Sequence, residues 1–333
     1  MRRRELLILL PGAAANAALP ARAQTPTPRR IAFVHSGIAA AQLTETSQTF
    51  WIRRFFAELR GLGYAEPANL IIERYSAEGR PERFAALAAE IVGRRPDLII
   101  ANQNPPVKAL REAAADIPIA AIVADPVSFG LVASLARPGG NVTGVSVDAG
   151  LEIYGKRLQI LKEAFPAIRT IAYLGLPGDW QGLVGQAMRD AGSGLGVSVV
   201  SIAPTEVTAA SLRTALADTG QSSANALVVA GAGDFLAYRQ LIVDVLRQIS
   251  VPAMYPYRDY VEVGGLMTYA PELGDLARHL AMAVQQILRG VKPGDIPVYQ
   301  AARFELVINL KTAKALSLTM PQSLLAGADE VIE

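Results

Sequence analysis

Residues 98–123 read LIIANQNPPVKALREAAADIPIAAIV and contain the pattern that decides the fold. The apolar run Leu98–Ala101 ends at three amide side chains, Asn102–Asn104. A predicted helix, Pro105–Ala115, opens on a proline, and a second apolar run follows at Ile117–Val123. Apolar runs without polar alternation are typical of strands that are covered on both faces, as in parallel sheets flanked by helices. The stretch therefore predicts one strand–helix–strand unit of an α/β fold.

The same alternation extends towards both ends of the chain. Before residue 98 we expect strands at Arg30–Val34 and Leu70–Tyr75 and helices at Thr46–Leu62 and Pro81–Val92. The series restarts after Gly139–Asn141, with predicted elements at Val142–Val147, Leu151–Ala164, Thr170–Leu174, Trp180–Ala191, Val197–Ile202, Thr208–Ala217, Ala226–Ala230, Phe235–Gln248, Ala253–Tyr255, Gly265–Tyr269, Pro271–Leu288 and Phe304–Asn309. Two successive series predict two doubly wound, Rossmann-like lobes, whose ligand crevices lie at the carboxyl ends of the strands.

No low-complexity linker separates the two series, so we predict short crossings between the lobes. The crossings are placed near Gly139–Gly150 and Tyr269–Pro271, so that the chain passes between the lobes more than once. We expect lobe 1 to contain residues 24–145 plus 270–300, and lobe 2 to contain residues 146–269 plus 301–333. A ligand that contacts both crevices would bind at the interface between the lobes.

The first 23 residues have the order of a secretory signal peptide. Three arginines, Arg2–Arg4, precede an apolar stretch that begins at Leu6, and Ala21-Arg22-Ala23 provides the small residues of an A-x-A cleavage site. The apolar stretch is interrupted by proline and glycine and is too short to span a membrane. Arg3–Leu7 also resembles a twin-arginine export signal. We expect a mature chain that begins near Gln24 outside the cytoplasmic membrane; the alternative is an N-terminal core helix.

The composition argues against several kinds of site. Cleavage of the signal would leave 28 basic and 29 acidic residues, which is not the footprint of a nucleic-acid-binding protein. The chain has no cysteine, which excludes disulfides, thiol catalysis, thiolate metal sites and a lipid-anchored cysteine. Its two histidines, His35 and His279, are poor support for a metal site or for histidine catalysis. We expect no metal, no cofactor, no nucleic-acid partner and no membrane-spanning segment in the mature chain.

Several further stretches resemble a known family. They are Asp125–Val127, Leu131–Gly144, Tyr255–Arg258, Gly264–Tyr269 and Phe304–Leu316. Together they resemble exported substrate-binding proteins of ABC transporters, in the group related to tryptophan- and tyrosine-binding components. The resemblance implies a periplasmic-binding-protein type I fold with three hinge crossovers. It also implies a monomer that closes on a small molecule in the periplasm and delivers it to an ABC permease with its ATPase subunit.

Polar side chains at the carboxyl ends of the lobe 1 strands are the first candidate ligand contacts. His35 and Ser36 follow the first strand, where a turn or a helix cap is the alternative role. Asn102, Gln103 and Asn104 follow the third strand, and three consecutive amides are more than an N-cap needs. Many members of the family have a small hydroxyl residue before the following proline, so Asn104 departs from the family pattern. The ligand therefore stays open between an amino acid, an aromatic acid and another small carboxylate.

Three more candidates lie near the first crossing between the lobes. Asp125 follows the fourth strand and is a candidate for ligand or hinge contact, with a turn-forming role as the alternative. Ser146 and Asp148 lie at the crossing itself, where they are candidates for ligand contact or for the hinge.

Lobe 2 contributes a second set of candidates at its strand ends. Trp180 either stacks on a ligand ring or packs at a helix start. Gly231 would let the backbone approach a ligand, and Asp234 either caps the next helix or accepts a hydrogen bond from the ligand. Tyr255 and Tyr257 flank a proline at another strand end, and we expect one of them to face the cleft.

Two other classes of function compete with a transport role. A nucleotide-dependent enzyme would use Gly231–Leu236, but Leu236 replaces the third glycine of the G-x-G-x-x-G fingerprint. No G-x-S-x-G, H-E-x-x-H or P-loop signature is present, so we expect a protein that is not an enzyme. A periplasmic sensor subunit that presents its ligand to a membrane receptor would use the same fold, and the sequence does not separate it from a transport component.

Overall fold

Two sheets organise the chain in a computed structural model, which describes residues 27–147, 150–176, 178–221 and 223–333. The predicted signal, residues 1–23, lies outside the described residues. In chain order the strands are β1 (Arg29–His35), β2 (Leu70–Ser76), β3 (Leu98–Asn102), β4 (Ile119–Val123), β5 (Val142–Ser146), β6 (Thr170–Leu174), β7 (Ser198–Ile202), β8 (Ala226–Val229), β9 (Ala253–Tyr255), β10 (Met267–Pro271), β11 (Tyr299–Gln300), β12 (Phe304–Asn309) and β13 (Glu330–Ile332).

Helices separate most of these strands, as the alternation predicts. In chain order they are α1 (Phe50–Gly61), α2 (Phe84–Gly93), α3 (Asn104–Ala113), α4 (Glu152–Ala164), α5 (Leu183–Gly194), α6 (Ala209–Gln221), α7 (Gly233–Leu236), α8 (Arg239–Gln248), α9 (Arg258–Glu262), α10 (Leu273–Leu288), α11 (Leu310–Ala315) and α12 (Gln322–Gly327). Among the described residues, no helix is both long and apolar enough to cross a bilayer.

The two sheets share one topology. The first has the order β2-β1-β3-β4-β5-β11 with parallel pairing throughout. The second has the order β7-β6-β8-β9-β10-β12-β13, in which only the β10–β12 pair is antiparallel. In both, the strand order reverses beside the first strand of the lobe, at β1/β3 and at β6/β8. Such a switch point opens a crevice at the carboxyl edge of the sheet.

Burial on both faces of the strands explains their apolar runs. In β1, Ile31 and Phe33 pack in the cluster that contains α1 and α10, whereas Ala32 and Val34 pack in the cluster that contains α2 and α3. All four side chains are almost fully buried. A strand that faces helices on both sides has no polar alternation to display. The expectation of an α/β fold with two Rossmann-like lobes is confirmed.

The described elements alternate between the two sheets three times along the chain. It leaves β5 of the first sheet and enters α4, which packs with α5, β8 and β9 of the second. It returns after β10, since α10 packs on α1, β4 and β5. It crosses again between β11 of the first sheet and β12 of the second.

Some element boundaries differ from the sequence prediction because non-local partners determine them. The first helix begins at Phe50 rather than at Thr46, and its first backbone N–H is bonded by a carboxylate of lobe 2. The predicted helix Phe235–Gln248 is two helices, since Tyr238 leaves helical backbone angles (φ −103°, ψ 13°). The short strands β11 and β13 were not predicted, because their pairing depends on residues far away in the chain.

Candidate functional site

A cavity of about 300 Å³ lies between the carboxyl edges of the two sheets. Its lining is mostly apolar and comes from both lobes. Lobe 1 contributes His35, Trp51, Asn102, Gln103, Asn104, Pro105, Ile122, Val123, Ala124, Phe129, Leu273, Leu276 and Ala277, the first crossing contributes Val147, and lobe 2 contributes Gly231, Gly233, Leu236 and Tyr257. The switch points of the two sheets thus meet at one cleft, where the fold predicts a ligand.

A larger cavity, of about 440 Å³, lies at the outer edge of lobe 1 between α1 and β2. Its charged side chains already pair with each other, Arg74 with Glu66 and Arg60 with Glu45. Because one lobe alone lines this cavity, closure of the lobes would not enclose a ligand there. We therefore take the cavity between the lobes as the candidate site.

His35 and Asn102 form a buried network at the β1/β3 switch point. The Nδ1 atom of His35 accepts backbone N–H groups from Gly37 (3.1 Å) and Ile38 (2.9 Å). The Asn102 amide lies 3.0 Å from His35 Nε2, and its Oδ1 accepts the backbone N–H of Ser36 at 3.0 Å. Burial lowers the pKa of His35 to about 3, so the ring is neutral at physiological pH. The network shapes the wall of the cavity, and the His35 ring stacks on Trp51.

Asn104 is the first residue of α3, not its N-cap. Its Nδ2 donates to the carbonyl of Ala124 at 2.7 Å, and its Oδ1 accepts the N–H of Ala124 at 3.0 Å. This double hydrogen bond fixes the loop after β4 to the start of α3. Gln103 precedes it, with its side chain in the cavity lining.

Three candidates of lobe 1 and of the first crossing do not reach the cavity lining. Asp125 forms a turn, in which its Oδ1 accepts the backbone N–H of Ser128 at 3.2 Å. Ser36 is buried beside His35, and its hydroxyl has no hydrogen-bond partner among the described residues. Ser146 is buried in β5, where its carbonyl accepts the N–H of Ala301. Asp148 lies outside the described residues.

Of the two candidate tyrosines, Tyr257 lines the cavity and Tyr255 does not. The hydroxyl of Tyr257 donates to the carbonyl of Gly231 at 2.8 Å, so the two loops of lobe 2 are joined at the wall of the cavity. Burial raises the pKa of Tyr257 to about 12. Tyr255 is 2% exposed and stacks on Tyr260 with ring centroids 5.1 Å apart, so it belongs to the core of lobe 2.

Trp180 and Asp234, the remaining candidates of lobe 2, differ in their partners. Trp180 stacks on Tyr173 and lies under the guanidinium of Arg189, 4.8 Å from the ring centroid, away from the cavity lining. The alternative packing role therefore describes its contacts. Asp234 lies in the first turn of α7 without a capping hydrogen bond, next to the lining residue Gly233. Burial raises the pKa of its carboxyl.

Several lining residues were not singled out in the sequence. Trp51 of α1 and Phe129, which is 61% exposed at the mouth of the cavity, supply aromatic surface. Leu273, Leu276 and Ala277 lie on one face of α10, at the i, i+3, i+4 spacing that could have indicated a shared surface. Apolar side chains at helical spacing look the same in a core and in a cavity, so the sequence pattern does not separate the two.

A buried cation supports the loop of Tyr257 from behind. Arg157 of α4 is 4% exposed, and burial lowers the pKa of its guanidinium. Its Nε donates to the carbonyl of Tyr269 at 2.9 Å, and its Nη2 donates to the carbonyl of Pro256 at 3.3 Å. Arg157 thus ties the middle of β10 to the loop after β9. The described residues contain no cluster of three or more His, Asp or Glu side chains that could hold a metal ion.

The two lobes also contact each other beside the cavity, through a set of residues that we name the clasp: Phe50, Arg53, Arg258, Asp259 and Glu262. The backbone N–H of Phe50 in lobe 1 donates to Asp259 Oδ1 in lobe 2 at 2.6 Å. Arg53 pairs with Glu262 at 3.2 Å, and the Arg258 guanidinium lies 5.2 Å from the centroid of the Phe50 ring. Burial raises the pKa of Asp259 to about 6. The clasp joins α1 to α9 and holds the lobes together.

Comparisons with known proteins agree with this architecture. The family described as ABC transporter substrate binding protein matches residues 38–332. A tyrosine-binding protein from Clostridioides difficile (strain R20291) is 26% identical over 266 residues, which cover 79% of this chain and 75% of that protein. A conserved domain protein from Vibrio cholerae and an ABC domain in complex with L-Trp from Streptococcus pneumoniae each have a TM-score of 0.78 and 24% identity, over 92% of this chain and 100% of each of theirs.

The solved structures share the type I periplasmic-binding-protein fold with this chain, which confirms the expected fold class. They are less than 25% identical to the chain and therefore support the fold alone. The family match is more specific, because it extends over nearly the whole described chain, with every strand except β1 and with all three crossings. The chain belongs to the ABC transporter substrate-binding protein family.

Proposed function

We propose that this protein is the extracytoplasmic solute-binding component of an importer. As a member of its family it is a substrate-binding protein and not an enzyme. The observation that carries the proposal is the cavity between the lobes, which has walls from both switch points. A small solute enclosed there would favour the closed arrangement, and the closed protein would deliver the solute to a permease and its ATPase subunit.

We propose that the solute is an amino acid, or a close derivative of one, with an aromatic or large apolar side chain. Trp51, Phe129 and Leu276 provide apolar surface for such a side chain. Asp234 provides a carboxylate beside the cavity for an ammonium group. The tyrosine-binding relative supports this choice, and the domain in complex with L-Trp is an example of this fold with an aromatic amino acid bound. The proposed polar contacts from the lining are His35, Asn102, Gln103, Asn104, Gly231 and Tyr257.

We also propose that the chain acts as a periplasmic monomer. The signal pattern of residues 1–23 supports export, and the arginine pair at Arg3 and Arg4 favours the twin-arginine route. The lobes are proposed to be residues 24–145 plus 270–300 and residues 146–269 plus 301–333. Cell fractionation tests the location: a full-length, uncleaved chain that stays in the cytosol would contradict export.

Thermal unfolding of the mature chain tests the binding function. L-tryptophan and L-tyrosine are the probes, and glycine, which has no apolar side chain, is the matched control. Ligand that binds only the folded protein stabilises it by about 2.7 kcal/mol at a hundredfold excess over Kd. For a protein of this size we expect the melting temperature to rise by about 5 °C with at least one aromatic probe and to stay constant with glycine. Equal curves with all three compounds would contradict the proposed ligand class.

A further inference from the structure

Gln103 has a backbone conformation that is almost exclusive to glycine. Its angles are φ 66° and ψ 152°. In this region the Cβ atom of an L-residue crowds the neighbouring peptide groups, so a non-glycine residue is strained. Other non-glycine residues of the described chain also have positive φ, but Gln103 is the one whose side chain lines the cavity between the lobes.

The fold requires this backbone path but not the glutamine side chain. The N–H of Gln103 donates to the carbonyl of Ile122 at 2.8 Å, and its own carbonyl accepts the N–H of Val107 at 3.3 Å. The double hydrogen bond between Asn104 and Ala124 holds the next residue. A glycine at position 103 could make the same two backbone hydrogen bonds without strain. The glutamine therefore needs another explanation.

The side chain of Gln103 reaches across the cleft. It lies against Gly233 of lobe 2, where an added methyl group would overlap the amide and would lie 2.9 Å from its Cδ. Gly233 thus leaves the space that Gln103 occupies. The next residue is Asp234, whose carboxylate lies near Gly37 of lobe 1. We call this boundary between the lobes, at Gln103, Gly233 and Asp234, the seam.

The amide of Gln103 makes no hydrogen bond with the residues that the structure describes, although it can donate two and accept two. The other polar side chains of the lining have partners within the protein. Asn104 and Tyr257 are bonded to backbone carbonyls, Asn102 Oδ1 accepts the backbone N–H of Ser36, and His35 Nδ1 accepts those of Gly37 and Ile38. Gln103 thus differs from the other polar side chains of the lining, because its whole amide is without a partner among the described residues. Strain retained at such a position is typical of binding sites.

We propose that Gln103 is a specificity-determining residue of this protein, whose amide binds the polar end of the solute while the apolar wall holds its body. This inference rests on the proposed function and specifies how the solute is oriented in the cavity. The solute would be held at the seam between Gln103 of lobe 1 and Asp234 of lobe 2, so that an α-amino group bridges the lobes. The strained backbone places the amide at that seam.

The test is the variant Gln103→Gly in the mature protein. It removes the backbone strain, which should raise the stability of the protein, and it removes the amide, which should lower the affinity for the ligand. We expect the melting temperature of the ligand-free variant to rise by about 2 °C or more. We expect its affinity for the better of the two probes, L-tryptophan or L-tyrosine, to fall by about tenfold or more in titration calorimetry.

Two variants serve as controls. Gln103→Ala keeps a Cβ atom and loses the amide, so it should lose affinity without gaining stability. Ser317→Gly relieves another positive φ, 56°, at an exposed position outside the cavity lining, so it should keep full affinity. A Gln103→Gly protein that keeps its affinity, or that is less stable than the parent, would overturn this inference and leave the proposed function standing. If the parent protein binds neither probe, the proposed function fails and this inference fails with it.

Discussion

At the start of α7, the carboxylate of Asp234 is half-buried beside the lobe 1 loop at Gly37, with no hydrogen bond or ion pair to any residue in the described ranges. Burial raises the pKa of Asp234, so the folded protein binds a proton there more readily than the unfolded chain does. The stability that this group contributes is therefore greatest at low pH and is lost as the pH rises through its folded pKa. An ammonium group from a ligand would supply the missing partner.

Asp234→Asn should test the contact to the ligand's amine separately from the contacts to the rest of the ligand. We expect affinity for L-tryptophan to fall by about tenfold or more, because a charge-assisted hydrogen bond is lost. Affinity for indole-3-propionate, which has the ring and carboxylate but no amine, should stay constant or rise. Because the substitution removes an unpaired buried charge, the ligand-free protein should not lose stability near pH 7. Titration calorimetry with both compounds is the measurement, and an equal loss for the two would contradict an amine contact.

The position of the polar loops could be predicted from the sequence, but the free polar atoms within them could not. The carboxyl ends of the strands form the crevice of each lobe, and a ligand was expected between the two crevices, so Asn102–Asn104 and Gly231–Asp234 were both expected at that ligand. Whether an amide is free depends on its partner, and for Asn104 that partner is the backbone of Ala124, 20 residues away. The aromatic surface at Trp180 is occupied by Arg189 in the same way.

At the scale of elements, the start of α1 depends on another lobe. No side chain caps this helix locally, and the carboxylate of Asp259 on α9 accepts the N–H of Phe50 instead. The local pattern places the helix start near Thr46, since the apolar spacing carries no information about a carboxylate more than 200 residues away. Strand interiors were easier to predict, because their apolar runs follow from burial on both faces of each sheet.

Asp259 should make the stability of the protein depend on pH. Its folded pKa of about 6 lies above the usual value of 3.8, because burial outweighs the hydrogen bond from Phe50. The folded state thus binds more protons, and the stability contributed by this group is full below pH 4 and is lost as the pH rises to about 6. By linkage this loss is about 3 kcal/mol. The unfolding free energy of Asp259→Asn should lack this component, since an amide does not titrate.

Urea unfolding of the parent and of Asp259→Asn, at intervals between pH 4 and pH 7, measures the difference. Subtracting the unfolding free energy of Asp259→Asn from that of the parent at each pH removes the contribution of Glu305. The raised pKa of Glu305, about 7, acts in the same direction in both proteins. Glu262→Gln is the matched control, because it alters the same clasp at its pair with Arg53 and keeps Asp259. Its pH dependence should persist and be slightly smaller, since the Glu262 charge also raises the pKa of Asp259. A difference between parent and Asp259→Asn that stays constant from pH 4 to pH 6 would contradict the assignment.

At the scale of the whole molecule, two lobes could be predicted because the strand–helix series runs twice. The contacts between the lobes could not be predicted, because they join side chains that are far apart in the chain. The clasp and the Gln103–Gly233 contact both join residues of different lobes. Each of these contacts is small, so the closed arrangement should be only modestly favoured without a ligand. A solute that contacts both lobes binds the closed arrangement more tightly than the open one. This difference in affinity adds to the effect of the clasp and shifts the population further towards the closed arrangement.

Lobe closure can be measured by energy transfer, since the chain has no cysteine and accepts two unique labels. Lys108→Cys on α3 and Asp190→Cys on α5 place dyes at exposed positions of different lobes. We expect transfer between them to change to a single, ligand-saturable value with L-tryptophan, because binding selects one arrangement of the lobes. A pair within lobe 1, Lys108→Cys with Glu90→Cys, should not respond. If calorimetry shows binding while the inter-lobe signal stays constant, the solute binds without moving the lobes, and closure cannot be the event that a permease recognises.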